Sequence, residues 1–302
     1  MRITNNMLGQ NLLRDLNTAQ GKMDNLQNQM SSGYRISKPS DDPVGIESSL
    51  RLKSSLSAVE QWQRNSDEGL TTMNSTDSIL GDMNSMLQRV RELAVKGANG
   101  TADPGARAAI ATEVDQLAEQ LEMSANSKLG NKYIFGGTKT DVEPISSLTG
   151  TWQGNSSPRS VEVGNNLNLP VSVNGETLFV NPITKHEDGT PTKGLFETLK
   201  DLSNGLKADD GSAVAATLED IDGNIDNISA HRADLGARTN RMDSIRSQLD
   251  NTSLNLQTNL SSIQDADMGE LIVEYQNQEN VYKAALSVGA KIIQPSLVDF
   301  MR

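Results

Sequence analysis

Apolar residues recur along this chain at an interval of seven. Ile221, Ile228, Leu235, Met242, Leu249, Leu256 and Ile263 form an unbroken heptad series, the mark of a coiled-coil seam. A single helix carrying the series would run for about 60 Å at 1.5 Å per residue, longer than a compact domain is wide. The pattern therefore predicts a rod. The alternate seam positions are mixed, with Ile225 and Leu260 apolar but Arg232, Thr239, Arg246 and Ser253 polar. So narrow a stripe needs partner helices from elsewhere in the chain.

A second long series supplies one partner. Leu52, Val59, Met73, Leu80, Leu87 and Ala94 share the seven-residue phase, and only Ser66 breaks it. Asp42-Pro43 is a helix start, because the carboxylate accepts from first-turn amides and proline at the first position loses no hydrogen bond. Asp103-Pro104 repeats that signal ahead of a shorter helix carrying Ile110, Val114, Leu117 and Leu121. Helical spacing returns at Leu195, Leu199, Leu202 and Leu206 and pauses at Asp209-Asp210-Gly211.

The two ends mirror each other. Leu12, Leu16, Ala19, Met23, Leu26 and Met30 follow at spacings of four and three, as do Val281, Ala285, Val288 and Ile292 before Pro295. Each is a thin apolar stripe on a polar helix, marginal alone in water, so isolated residues 1–40 are expected to show little helix and the two termini to pair. Between Lys132 and about Gly194 the period changes to two. Tyr133-Ile134-Phe135 reads as extended, and Val171 and Val173 lead through Asn174-Gly175 into Thr177-Leu178-Phe179, the signature of a hairpin with a type I′ turn. The expected architecture is mainly α, a long antiparallel coiled-coil rod carrying a small β-rich insert. Residues 1–40 and 265–302 are its paired terminal helices, 41–131 and 195–264 the rod, and 132–194 the insert.

Composition narrows the function. Only 35% of the 302 residues are hydrophobic and 3% aromatic, which suits thin helical layers better than an enzyme core. A net charge of −12 gives no electrostatic footprint for nucleic acid. The chain has no cysteine, so disulfide and thiolate chemistry are excluded. No run approaches the roughly 18 apolar residues of a membrane span, and the N-terminus lacks the pattern of a Sec-type signal peptide.

Candidates for chemistry are thin. His186 and His231 are the only histidines; the first reads as a solvated loop residue, the second as a surface imidazole on a helix. Asp220-Ile221-Asp222-Gly223-Asn224-Ile225-Asp226 alternates oxygen-bearing side chains like a calcium loop. It has Ile225 at the sixth position and His231 at the twelfth, where glycine and a bidentate glutamate are required. The pairs Asp41-Asp42 and Asp265/Asp267 read as helix caps. No catalytic, metal or cofactor site is expected.

Longer motifs point to a family. Ser31-Ser32-Gly33-Tyr34-Arg35-Ile36, Asp41-Asp42-Pro43-Val44-Gly45, Arg91-Glu92-Leu93-Ala94-Val95 and Ala98-Asn99-Gly100-Thr101 resemble the N-terminal signature of the bacterial flagellin superfamily. Arg232 to Arg241 (RADLGARTNR) and Ile263-Gln264-Asp265-Ala266-Asp267 resemble its C-terminal one. The opening Met1 to Met7, Lys38 to Pro43, Tyr133-Ile134-Phe135-Gly136-Gly137-Thr138, Trp152-Gln153-Gly154 and the ending Leu297 to Arg302 are most similar to the branch that forms the hook–filament junction, although Trp152 stands where that branch usually has tyrosine.

The resemblance implies a non-enzymatic, secreted structural subunit, exported unfolded through the flagellar type III channel to an extracellular site in the flagellum. It implies a ring layer of copies of the chain between hook-associated protein 1 and the flagellin filament, with an export chaperone holding the C-terminal helix beforehand. The filament subunit, flagellin itself, is the alternative within the superfamily. The expected assembly surface is Leu12, Leu16, Met23, Leu26 and Met30 with Val281, Ala285, Val288 and Ile292.

Overall fold

A computed structural model of the protein describes residues 5–99, 103–146, 151–185 and 189–293. Met1 to Thr4, Gly100-Thr101, the loop at His186, Pro295 and the ending Leu297 to Arg302 lie outside the described residues. The helices are α1 (Asn5–Ser32), α2 (Pro43–Ala98), α3 (Pro104–Ala125), α4 (Gly175–Phe179), α5 (Leu195–Lys207), α6 (Gly211–Gln264) and α7 (Met268–Ile293). The strands are β1 (Lys128–Leu129), β2 (Lys132–Tyr133), β3 (Ile145–Ser146), β4 (Thr151–Trp152), β5 (Ser160–Gly164) and β6 (Leu167–Pro170). The chain divides into a terminal unit, residues 1–58 with 252–302, and a central unit, residues 59–251.

The heptad series build the central unit. Met73, Leu80, Leu87 and Ala94 of α2 and Ile221, Ile228, Leu235 and Met242 of α6 are buried in one cluster, joined by Val114 and Leu121 of α3 and Leu199, Leu202 and Leu206 of α5. The polar seam positions of α6 are used as well. Arg232 pairs with Asp77 at 2.9 Å and Arg246 with Asp67 at 2.8 Å, while Arg91 pairs with Asp222. As the α2 number rises the α6 number falls, so these helices are antiparallel here, their register fixed by charge as well as packing. Ser66, Thr72 and Thr76 are also buried. Their hydroxyls donate back to the carbonyls of Trp62, Glu68 and Thr72 at 2.7–3.0 Å, which lets them sit in the core without an orphaned group.

One buried charge ties two turns together. Arg107 of α3 donates through Nε to Gly97 O at 2.9 Å, through one terminal nitrogen to Asn99 O at 3.1 Å, and through the other to the Asp209 carboxylate. Asp209 stands at φ 59° in the turn between α5 and α6. Asp210 then caps α6, accepting from Ser212 N and Ala213 N.

The insert differs in part from the expectation. Its strands form three separate antiparallel pairs, β1–β2, β3–β4 and β5–β6, the last with Val161 opposite Leu169 and a bulge between Glu162 and Gly164. Asn174-Gly175 is not a hairpin turn. Asn174 has φ −77°, whereas a type I′ turn needs positive φ, and its side chain accepts from Glu176 N at 3.0 Å to cap α4. Burial decides the outcome, because the helical turn places Leu178 and Phe179 in the core, with the Phe179 ring edge-on to Phe135 at 5.4 Å. Gly175 is required by close approach: a Cβ there would stand 2.4 Å from the Trp152 ring and 2.5 Å from Phe135 O.

In the terminal unit, Gly33 ends α1 at φ 74°, with its amide on Gln29 O. The chain then pairs briefly with the break between α6 and α7. Arg35 N donates to Gln264 O at 2.7 Å, Ala266 N to Gly33 O at 3.0 Å, and the Arg35 guanidinium to Ile263 O at 2.9 Å. The aspartates act as caps. Asp42 accepts from Val44 N and Gly45 N at the start of α2, and Asp267 from Gly269 N and Glu270 N at the start of α7. Asp41 closes its own loop, and the amides of Lys38 and Ser37 hold its carboxyl below the usual carboxylate range.

Candidate assembly surface

α1 and α7 pack antiparallel. Leu12 lies against Gly289, where a Cβ would meet Leu12 Cδ2 at 2.5 Å, and the Gln278 side chain donates to Ala19 O. On α1 the packed face is the four-three series itself: Ala19 is buried, and Leu12, Leu16, Met23, Leu26 and Met30 are half-buried.

On α7 the packed face is a different stripe from the aliphatic one. Leu271 and Gly289 are buried and Tyr275, Gln278, Tyr282 and Ala285 half-buried, spaced four, three, four, three, four. Of the residues expected on this surface, Ala285 belongs to the intrachain seam, whereas Val281 and Val288 stand beside it and are 56% and 53% exposed. Ile292 falls in the last turn of α7, and its side chain lies outside the described residues. The seam was hidden in the sequence by two tyrosines, a glutamine and a glycine. Extending the four-three spacing backward from Ala285 through any residue type would have found it.

The surplus apolar surface of α7 is broad. Ile272, Val273 and Leu286 are exposed together with Val281 and Val288, and a groove of about 560 Å³ runs beside the seam, lined by Leu26, Gln29, Glu274, Gln278 and Val281. Across the terminal unit only Ala19, Ile36 and Leu271 are buried apolar residues among those described, while twelve of the 17 exposed large apolar side chains lie there. Exposed apolar side chains in this number on one small unit mark a candidate interaction surface.

Other candidates are absorbed by the fold. Asp220 to Asp226 lie within α6 as helix, and among the described residues no group of three His, Asp or Glu side chains could hold a metal ion. His231 is half-buried rather than a surface imidazole, with Nε2 3.4 Å from the Thr177 hydroxyl, and burial pushes its pKa below the ordinary 6.5. No helix among the described residues is long and apolar enough to cross a membrane.

Residues 3–140 match the bacterial flagellin N-terminal helical region and residues 218–301 the bacterial flagellin C-terminal helical region. The chain belongs to the bacterial flagellin family. This flagellin-family chain is 26% identical over 300 residues to flagellar hook-associated protein 3 of Escherichia coli, covering 94% of the chain and 95% of that protein. It is 27% identical over 304 residues to a flagellin of Bacillus subtilis, covering 97% of each. Its fold is that of the flagellar hook-associated protein 3 structure from Legionella pneumophila, at a TM-score of 0.62 and 18% identity, covering 71% of this chain and 98% of that one. It is thus a flagellin-like structural component of the bacterial flagellum.

Proposed function

We propose that the chain is the hook–filament junction subunit, a non-enzymatic adaptor that joins hook-associated protein 1 to the flagellin filament as a ring layer of its own copies. The observation that carries the reading is the imbalance of the terminal unit. Three buried apolar residues among those described are too few to sustain a unit of its size alone, and its exposed apolar side chains call for neighbours. Net charge does not oppose close packing there, since residues 1–58 and 252–302 hold 10 basic and 11 acidic residues, against 17 and 28 in residues 59–251. On this reading the terminal helices form the inner assembly layer, with Val281 and Val288 facing neighbouring copies and the Leu12 to Met30 stripe holding α1 on α7. The chain reaches its extracellular site through the flagellar type III channel, with its C-terminal helix held by an export chaperone until then.

Electron microscopy of cells lacking the chain, with an assay of flagellin in the medium, tests the reading. Bare hooks with flagellin shed outside are expected. Absent filaments with none shed would make the chain the filament subunit instead. Normal filaments would overturn both.

A further inference from the structure

Withdrawing a charged side chain from water is costly unless an opposite charge meets it. Among the described residues the fold withdraws four arginines, burying Arg107 and half-burying Arg159, Arg232 and Arg238. Three of them meet a carboxylate: Arg107 pairs with Asp209, Arg232 with Asp77 and Arg238 with Asp234. Arg159 has no such partner among the described residues. Its guanidinium donates to the Thr72 hydroxyl at 2.8 Å, which leaves most of its N–H donors and its charge unanswered.

The same guanidinium lines a cavity of about 400 Å³ bounded by α2, the β1–β2 hairpin and the ends of the β5–β6 pair, a volume typical of small-molecule sites. Thr72 and Ser172, each 4% exposed, line it beside Arg159. The Ser172 hydroxyl accepts from Arg159 N at 2.8 Å and keeps its own proton to donate. Leu129, Tyr133 and Ile134 supply an apolar wall, and Glu68, exposed, is the one acid in the lining. Tyr133 N donates to Thr140 O at 3.0 Å and Ile134 N to Ser127 O at 3.1 Å, so that wall is fixed before any ligand arrives.

We propose that this cavity binds a small organic carboxylate, its anionic group held by Arg159 and the Ser172 hydroxyl, its apolar body against Leu129, Tyr133 and Ile134. A carboxylate matches the fork of a guanidinium. A bare inorganic anion would leave the apolar wall uncovered, and a neutral apolar molecule would leave the charge unanswered. The site belongs to the central unit and stands independently of the junction reading.

Calorimetric titration and thermal melting of the full-length chain with benzoate test the proposal. Benzoate at ten times its Kd should raise the melting temperature of the central unit by about 3–6 °C. Benzyl alcohol, which keeps the body without the charge, and inorganic phosphate, which keeps charge without the body, should each bind about tenfold more weakly or worse. Arg159→Gln should weaken benzoate by about the same factor, whereas Glu68→Gln should leave it as tight or tighter, because that acid repels an anion. No binding of benzoate or hexanoate at millimolar concentration would overturn the proposal. Equal binding of benzyl alcohol would reduce the site to an apolar crevice, and equal binding of phosphate to a general anion site; either overturns it. A lower melting temperature with weaker benzoate binding in Glu68→Gln would make Glu68 the partner of Arg159 and overturn it as well. Should Arg159→Gln fail to fold, the alcohol comparison and Glu68→Gln still decide.

Discussion

Arg107→Ala should cost the central unit about 3 kcal/mol. The Arg107 side chain is 9% exposed and its fork is shared between Gly97 O, Asn99 O and the Asp209 carboxylate. Removing one member of a buried ion pair costs about 3–5 kcal/mol when the other stays buried. Asp209 is 45% exposed, so water takes up much of its charge and the loss of the pair itself falls to about 1 kcal/mol, the value of a partly exposed pair. Each abandoned carbonyl adds on the order of 1 kcal/mol. For a unit of this size 1 kcal/mol moves Tm by about 2–4 °C, so the unfolding transition of the central unit should fall by about 6–12 °C. Calorimetry on the full chain reads this directly. Arg107→Lys should fall between the two, because an ammonium keeps the charge but cannot fork to three acceptors. A loss under about 1 kcal/mol for the alanine variant would refute the account of Arg107 as the tie between the two turns.

Leu16→Asp should loosen α1 from α7 and lower the helical signal of the isolated chain. Val288→Asp should leave that signal and the melting curve unchanged yet abolish swimming, and cells of this second variant that swim normally would remove α7's flank from the assembly surface. Gly175→Ala should displace Trp152 and cost about 1–3 kcal/mol; unaltered tryptophan emission in a Trp62→Phe background would show that the contact yields freely. His231 titrates below its ordinary value chiefly because it is buried, Asp234 opposing and Arg238 reinforcing the shift. The unfolded chain therefore binds more protons in the window just below pH 6.5, and stability should decline as pH falls through it. His231→Gln should flatten that decline, and an unchanged pH profile would exclude the imidazole as its source. A double-mutant cycle on Asp77 and Arg232, both partly exposed, should give a coupling of roughly 0.5–1 kcal/mol, and none at all would leave register to packing alone.

What the sequence revealed, and what it hid, follows one physical line. Ile221, Ile228, Leu235, Met242 and Leu249 are all buried, because a seven-residue interval of aliphatics has few folded solutions. Ser66 looked like a break in the α2 series yet is buried with its hydroxyl satisfied within its own helix, so the series continues through it. The seam of α7 escaped because contact along a helix pair is set by phase, and a tyrosine, glutamine or glycine in phase packs while a valine out of phase does not. Asn174-Gly175 misled for a related reason: its local turn preference is worth less than burying Leu178 and Phe179. The Arg107 tie joins residues 102 positions apart, and no local pattern announces such a pairing.

The buried hydroxyls of α2 also have a mechanical consequence. Each draws on a carbonyl already committed to the helical ladder, which weakens the ladder bond and lets the axis curve at small cost. Three of them, on Ser66, Thr72 and Thr76, fall within three turns of one another. Under load α2 should flex there before it flexes elsewhere, like a beam thinned at one section. In the proposed junction role such compliance would let the subunit adapt to unlike neighbours, and it comes from a few oxygen atoms placed where leucines would have made a stiffer strut.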